Sequence, residues 1–246
     1  MPVKGIALDA EGVMFDFERD GHHAAHRRVA AELGVLLDSM EALEAIPNLV
    51  GGPGKLIAQQ IYDLMVKRTG SSRMTPEEIE KQSRKYFREL FGEIASGKKK
   101  IWPRPGLESA VRDIRDTLCL PVVVGSSTWM EEFWIYWMRT GLDKLFMPYQ
   151  VVLADEANGI RHKPEPDIFL KTAELMGIDP KEQLVFEDSQ RGVQAAVRAG
   201  STVIGVTTYD HPREIIRLYE AGAKRVFCDW EEINLPNLID MLNREG

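Results

Sequence analysis

The chain has 246 residues, 44% of them hydrophobic and 28% charged. At roughly 150 residues per domain this is one to two domains, with core enough to need neither disulfides nor structural metals, and the composition excludes collagen-like, low-complexity and disordered classes. With 31 Lys and Arg against 38 Asp and Glu the formal charge is −7, so no broad basic surface is predicted for a nucleic-acid backbone or an anionic membrane.

Cys119 and Cys228 each stand beside apolar residues, which predicts buried, reduced thiols rather than a disulfide framework. The longest uncharged stretch, residues 118–130, is too short to span a bilayer, and Met1-Pro2-Val3-Lys4-Gly5 lacks the apolar region of a signal peptide. The expectation is a cytoplasmic protein.

In chain order, the first element is a short apolar run, residues 4–8, that stops at Asp9. From about Asp16 to Lys100 no buried strand is predicted. Helices are expected there over residues 22–33, 54–67 and 76–91, the last with Thr75 as N-cap and Pro76 at its first position. The return passes through Pro103-Arg104-Pro105-Gly106, a stiff connection suited to a hinge. Apolar spacing then predicts a helix over residues 106–118, followed by a run over 121–125 that stops at Ser126. Residues 129–138 are too apolar for a one-faced surface helix and are expected in the core or in a subunit contact, so that either a monomer or a homodimer is compatible. Further runs over 150–154, 184–186 and 202–206 stop at Asp155, Glu187-Asp188 and Thr207-Thr208, with helices expected over 167–176 and 192–199.

Short Val- and Ile-rich runs without polar alternation fit strands buried on both faces, and their alternation with helices predicts an α/β fold, a doubly wound parallel, Rossmann-like sheet. The expected domains are a discontinuous core, residues 1–16 and 101–246, and an inserted α-helical cap, residues 17–100. In such sheets ligands bind outside the carboxyl ends of the strands, where this chain presents Asp9, Ser126, Asp155, Glu187 and Asp188.

Four stretches carry chemistry. In Asp9-Ala10-Glu11-Gly12-Val13 an ionised Asp near a cation can attack phosphorus while a neighbouring carboxyl serves as general acid and then base. The same pattern also suits a turn or a helix cap. Hydroxyls in Ser126-Ser127-Thr128, ahead of a helix, suit either a phosphate or an ordinary N-cap. Lys163 is a point charge held on proline-restricted backbone, able to neutralise a phosphate and a carboxylate together, although a solvated surface lysine is the plain alternative. Adjacent acids at Glu187-Asp188 favour Mg²⁺, while Ser189 suits a cap for the next helix.

Taken jointly, these stretches resemble the haloacid dehalogenase superfamily, in the branch with a helical cap after the first strand that includes phosphoglycolate phosphatases and β-phosphoglucomutases. The resemblance rests on Asp9-Ala10-Glu11-Gly12-Val13, on Val124-Gly125-Ser126-Ser127, on His162-Lys163-Pro164-Glu165-Pro166-Asp167-Ile168-Phe169, and on Val185-Phe186-Glu187-Asp188-Ser189-Gln190-Arg191-Gly192. It implies that Asp9 forms an aspartyl-phosphate intermediate and that Ser126 and Lys163 bind the transferring group, with Ser127 beside them. Mg²⁺ would be held by Asp9, the main-chain carbonyl of Glu11 and Asp188, with Glu187 a ligand through water. Glu11 departs from the family's usual Asp, moving the proton donor by roughly 1.5 Å. Enolase-phosphatases share an Asp-x-Glu-Gly pattern, so Glu11 is compatible with activity, though it weakens a mutase assignment.

In the predicted cap, Lys55 follows the glycine-rich Gly51-Gly52-Pro53-Gly54 at a position resembling the family's specificity loop, and His22 lies near a histidine of the first cap helix; His22, His23 and His26 equally suit an exposed surface. The expected activity is hydrolysis of a small phosphomonoester with Mg²⁺, with no nucleic-acid or membrane partner. A β-phosphoglucomutase-like phosphomutase is the alternative. A metal-free dehalogenase, a phosphonoacetaldehyde hydrolase using Lys55 as a Schiff base, and a non-catalytic phospho-ligand-binding descendant are further readings.

Overall fold

A computed structural model describes residues 2–245. The chain separates into two compact units, one running through Asp16 and resuming at Ile101, the other spanning Phe17–Lys100.

The first unit begins with β1 (Gly5–Leu8), every residue of which is buried. The second unit is helical: a π-helical turn, Glu18–His23, leads into α1 (Ala24–Glu32), followed by α2 (Ser39–Ala45), α3 (Gly54–Thr69) and α4 (Pro76–Ala95). The first unit then resumes with α5 (Leu107–Arg112), β2 (Val122–Ser126), α6 (Met130–Thr140) and β3 (Val151–Leu153). It continues through α7 (Asp167–Met176), β4 (Gln183–Glu187), α8 (Gln190–Ala199) and β5 (Thr202–Val206), and ends with α9 (Pro212–Ala221), β6 (Arg225–Phe227) and α10 (Leu235–Glu245).

Among the described residues the six strands form one sheet in the order β3-β2-β1-β4-β5-β6, all parallel. Ala7, Val123, Val185 and Val203, one from each of the inner strands, pack with Phe169 of α7 and Val193 of α8 in the core. That arrangement explains the continuous apolar runs, because strands covered on both faces have no solvent side on which to place polar residues. Gln183, fully buried at the start of β4, is one polar exception: its amide donates to Phe169 O and Ser201 Oγ and accepts from Thr172 Oγ1, so its hydrogen-bonding groups stay matched.

Local signals set several helix starts. Thr75 Oγ1 accepts from Glu78 N while Glu78 Oε2 accepts from Thr75 N, with Pro76 at the first helical position of α4. A cap of this kind contributes about 1 kcal/mol. Asp38 and Glu41 make the same reciprocal box at α2, a helix the apolar periodicity does not reveal.

Other expectations are corrected. The helix over residues 106–118 is shorter, ending at Arg112 and passing into a π-helical turn, Asp113–Thr117. Cys119, expected in the core, is exposed; it sits at φ 52° in the connection leading to β2. Cys228 is half-buried. Residues 129–138 divide by face, with Phe133, Tyr136 and Trp137 buried and Trp129, Met130 and Met138 exposed.

The cap-region histidines are not surface residues either. His23 and His26 are buried, and His22 is half-buried with its ring stacked on Phe87 at 3.9 Å. Burial pushes His26 down to about 4 and His23 well below its ordinary range, with His26, His22 and Arg27 adding repulsion at His23. The folded state therefore keeps both rings neutral at a pH where the unfolded chain, titrating near about 6.5, takes up protons. Below that value each histidine lowers the unfolding free energy, by about 1.4 kcal/mol per pH unit, until its own folded titration begins. Urea unfolding from about pH 7 to about pH 5 is expected to show a steeper loss of stability in the wild type than in His23→Gln/His26→Gln, by roughly 2–3 kcal/mol per pH unit. Equal slopes would show that the two rings charge freely in the folded protein.

Candidate active site

In the observed strand order the chain leaves β1 toward β2 and β3 on one side and fills β4, β5 and β6 on the other. The crevice at such a reversal lies at the carboxyl ends of β1 and β4. Pairing of Leu8 with Phe186 and with Val124 places Asp9, the first residue past β1, level with Glu187 and beside Gly125. Asp9 N donates to Phe186 O at 3.0 Å, which extends the ladder to the site.

Lys163 organises this edge. It is buried, its Nζ donating to Asp9 Oδ1, to Glu187 Oε1 at 2.6 Å and to Gly125 O at 3.1 Å, so all three ammonium donors are used. Its main-chain N donates to Ser127 Oγ at 3.2 Å, which ties the segment carrying Lys163 to the loop after β2. Burial by itself would lower the lysine's pKa, but the carboxylates of Asp9 and Glu187 outweigh it and raise it, so the ammonium stays charged. For Asp9 the balance runs the other way: burial, together with repulsion from Glu187, pushes its carboxyl up to about 7 against the pull of Lys163.

Glu187 is fully buried and well bonded. Besides Lys163, it accepts at Oε2 from Ser189 N at 2.9 Å and from Ser189 Oγ at 3.0 Å. Ser189 Oγ in turn accepts from Gly192 N and caps α8, so the cap and the acid belong to one network. A Cβ on Gly192 would stand 1.7 Å from Glu187 Oε1, which leaves glycine as the residue that fits. Asp188 is also buried, its Oδ2 accepting from Thr208 Oγ1 at 2.7 Å.

Ser126 ends β2 and is buried, its Oγ accepting from Thr128 N at 3.1 Å and donating to Thr128 Oγ1 at 3.0 Å. It does not cap α6, whose N-cap is Trp129. Asp155 closes its own turn by accepting from Asn158. Glu11 is half-buried in the turn after β1. Asp9, Glu187, Lys163 and Ser127 are thus brought into one bonded cluster. Lys55 and His22 belong to the helical unit, where Lys55 is exposed near the start of α3.

Three buried carboxyl groups against one ammonium leave an excess of negative charge at this edge, which a bound cation would offset. The donors are hard oxygens, the kind Mg²⁺ prefers. Gly12 leaves the needed space: at φ 89° it adopts a conformation that favours glycine, and a Cβ there would stand 2.0 Å from Asp188 Oδ2. Asp9 and Asp188 offer carboxylate oxygens of this kind at the ends of β1 and β4.

Sequence reading overlooked the residues that shape the turn after β1. Arg104, in the connection that follows the helical unit, donates from Nη1 to Gly12 O at 2.6 Å and Thr207 O at 2.9 Å, and from Nη2 to Cys228 O, while its main-chain N donates to Met14 O at 2.8 Å. Trp230 Nε1 donates to Val13 O at 2.7 Å. The available signals were an arginine between two prolines and the Thr207-Thr208 pair at the end of β5.

A model of the haloacid dehalogenase-like hydrolases matches residues 3–200. The fructose-1-phosphate phosphatase YqaB of Escherichia coli K12 is 29% identical over 202 residues, covering 82% of this chain and 95% of its own length. A phosphorylated carbohydrates phosphatase of Thermotoga maritima is 27% identical over 237 residues, covering 95% and 98%. Among solved structures, a conserved haloacid dehalogenase-like protein of unknown function from Agrobacterium tumefaciens superposes with a TM-score of 0.78 at 25% identity, covering 98% of this chain and 99% of that one. No helix among the described residues is long and apolar enough to cross a membrane.

Proposed function

The chain belongs to the haloacid dehalogenase-like hydrolases, and from that membership we propose that it is a Mg²⁺-dependent phosphatase acting on a small phosphomonoester, of the sugar-phosphate or phosphoglycolate kind, through an aspartyl-phosphate. The observation that carries this reading is the buried Lys163 ammonium bonded at once to Asp9, Glu187 and Gly125 O at the carboxyl edge of the sheet. The names of the two phosphatase relatives, both acting on phosphorylated carbohydrates, support the substrate class.

In the proposed reaction the Asp9 carboxylate attacks phosphorus in line with the ester oxygen. The bond to that oxygen breaks, and Glu11 gives it a proton as the alcohol leaves. Glu11 then takes a proton from water, which attacks the phosphorus of phospho-Asp9, releasing inorganic phosphate and restoring the carboxylate. Ser126 and Lys163 bind the equatorial oxygens in this reading, one Lys163 donor passing from its protein acceptor to the phosphoryl group while the others keep the ammonium in place. A divalent cation at Asp9, Asp188 and the Glu11 carbonyl would supply further neutralisation of the phosphoryl oxygens. The helical unit is the candidate for substrate selection in this reading, with Lys55 and His22 as its candidate residues.

The test is release of inorganic phosphate across phosphoglycolate, hexose phosphates, nucleotides and pyrophosphate, with Mg²⁺ and with chelator. Release from a small ester that chelation abolishes and Mg²⁺ restores is the expected result. Conversion of one sugar phosphate into another without release would identify a phosphomutase, and no turnover of any ester would sink the reading.

A further inference from the structure

We propose that Arg104 is a positioning residue that shapes the divalent-cation site by locking the turn that carries Asp9 and Glu11 to the loop whose Thr208 orients Asp188. Its guanidinium touches no carboxylate among the described residues. All three of its side-chain acceptors are main-chain carbonyls, of Gly12, Thr207 and Cys228, which lie in the loops after β1, β5 and β6.

The consequence follows from what those loops hold. Gly12 belongs to the turn that begins at Asp9 and contains Glu11, and it lies so close to Asp188 that a Cβ would collide with the carboxylate. Thr207 is followed by Thr208, whose hydroxyl donates to Asp188 Oδ2 at 2.7 Å. One guanidinium nitrogen, Nη1, therefore bridges the turn bearing Asp9 and Glu11 to the loop that orients Asp188. With Arg104 N on Met14 O and Trp230 Nε1 on Val13 O, the carbonyls of Gly12, Val13 and Met14 are each held by a donor from far along the chain.

The residue type matters. A planar fork with five donors can serve three carbonyls at fixed angles, whereas an ammonium on a flexible stem cannot span them in the same way. Pro103 and Pro105 restrict the backbone on both sides, so the fork starts from a defined place. Supporting groups of this kind typically govern metal affinity by about 10–100-fold when removed.

This proposal rests on the phosphatase reading only for the identity of the cation, and its test does not need turnover. Mn²⁺ binding to the full chain, followed by electron paramagnetic resonance without substrate, is expected to weaken by about 10–100-fold in Arg104→Met, and comparably in Thr208→Val, which removes the donor to Asp188. The Mg²⁺ needed for half-maximal phosphate release should rise in parallel, while kcat at saturating Mg²⁺ stays within about threefold. Arg104→Lys, which keeps the charge and folds more readily, should show the same weakening. Wild-type Mn²⁺ affinity in Arg104→Lys and Thr208→Val would overturn the proposal, as would a fall in kcat with no change in the Mg²⁺ midpoint. A wild type that binds Mn²⁺ but releases no phosphate from any ester would end the phosphatase reading and leave the Mn²⁺ comparison to decide the role of Arg104.

Discussion

Replacing Lys163 with methionine is expected to lower the unfolding free energy by about 3–5 kcal/mol and to reduce phosphate release by at least about a thousandfold. The stability loss follows from what remains. Asp9 and Glu187 are both buried and both bonded to the one ammonium, so its removal leaves two carboxyl groups facing each other without a counter-charge. Either both stay ionised at a desolvation cost, or one takes up a proton that it would not hold in the unfolded chain. The activity loss has a different origin, the absence of a cation against the phosphoryl oxygens. The two effects separate in Lys163→Met/Glu187→Gln. Removing the second charge is expected to return much of the stability, whereas phosphate release stays absent. Urea unfolding beside the release assay reads both quantities. Stability unchanged in the single variant would mean that these ion pairs do not hold the sheet edge together.

Asp9→Asn is expected to behave in the opposite way, losing at least about a thousandfold in phosphate release while its unfolding free energy stays within about 1 kcal/mol of wild type. An amide occupies nearly the same volume but cannot attack phosphorus. The structural cost is small because Lys163 keeps both Glu187 and Gly125 O, and because burial already opposes ionisation of Asp9, pushing its carboxyl up to about 7. A protein that folds and binds ester but does not turn it over is the signature of a missing nucleophile, and calorimetric titration with a substrate identified in the release assay can detect that binding. Retention of wild-type release in Asp9→Asn would rule out phospho-Asp9.

Legibility in the sequence differs by element. The strands were visible because apolar runs such as residues 202–206 end abruptly at polar residues, and β5 occupies that same range. Helix α7 was visible from its apolar spacing and matches residue for residue. Helix α2 escapes apolar periodicity, although Asp38 and Glu41 form a recognisable capping box, since a seven-residue helix offers too few turns for periodicity to register. Helices α9 and α10 and the short edge strand β6 are likewise absent from the sequence expectations, the strand because three residues carry no pattern.

For the site, the residue pattern places Asp9, Ser126, Glu187 and Asp188 where apolar runs stop, and Lys163 is marked separately by the prolines that follow it. Those positions are set by local patterning, since a strand end follows from where apolar residues stop. Long-range packing makes Lys163 bond to Asp9 and Glu187 together, presses Gly12 against Asp188, and lets Arg104 and Trp230 grip the turn between them. These contacts join residues 24 to 217 positions apart. No short-range preference of a chain encodes them; they exist because six parallel strands in the order β3-β2-β1-β4-β5-β6 bring their carboxyl ends to one edge.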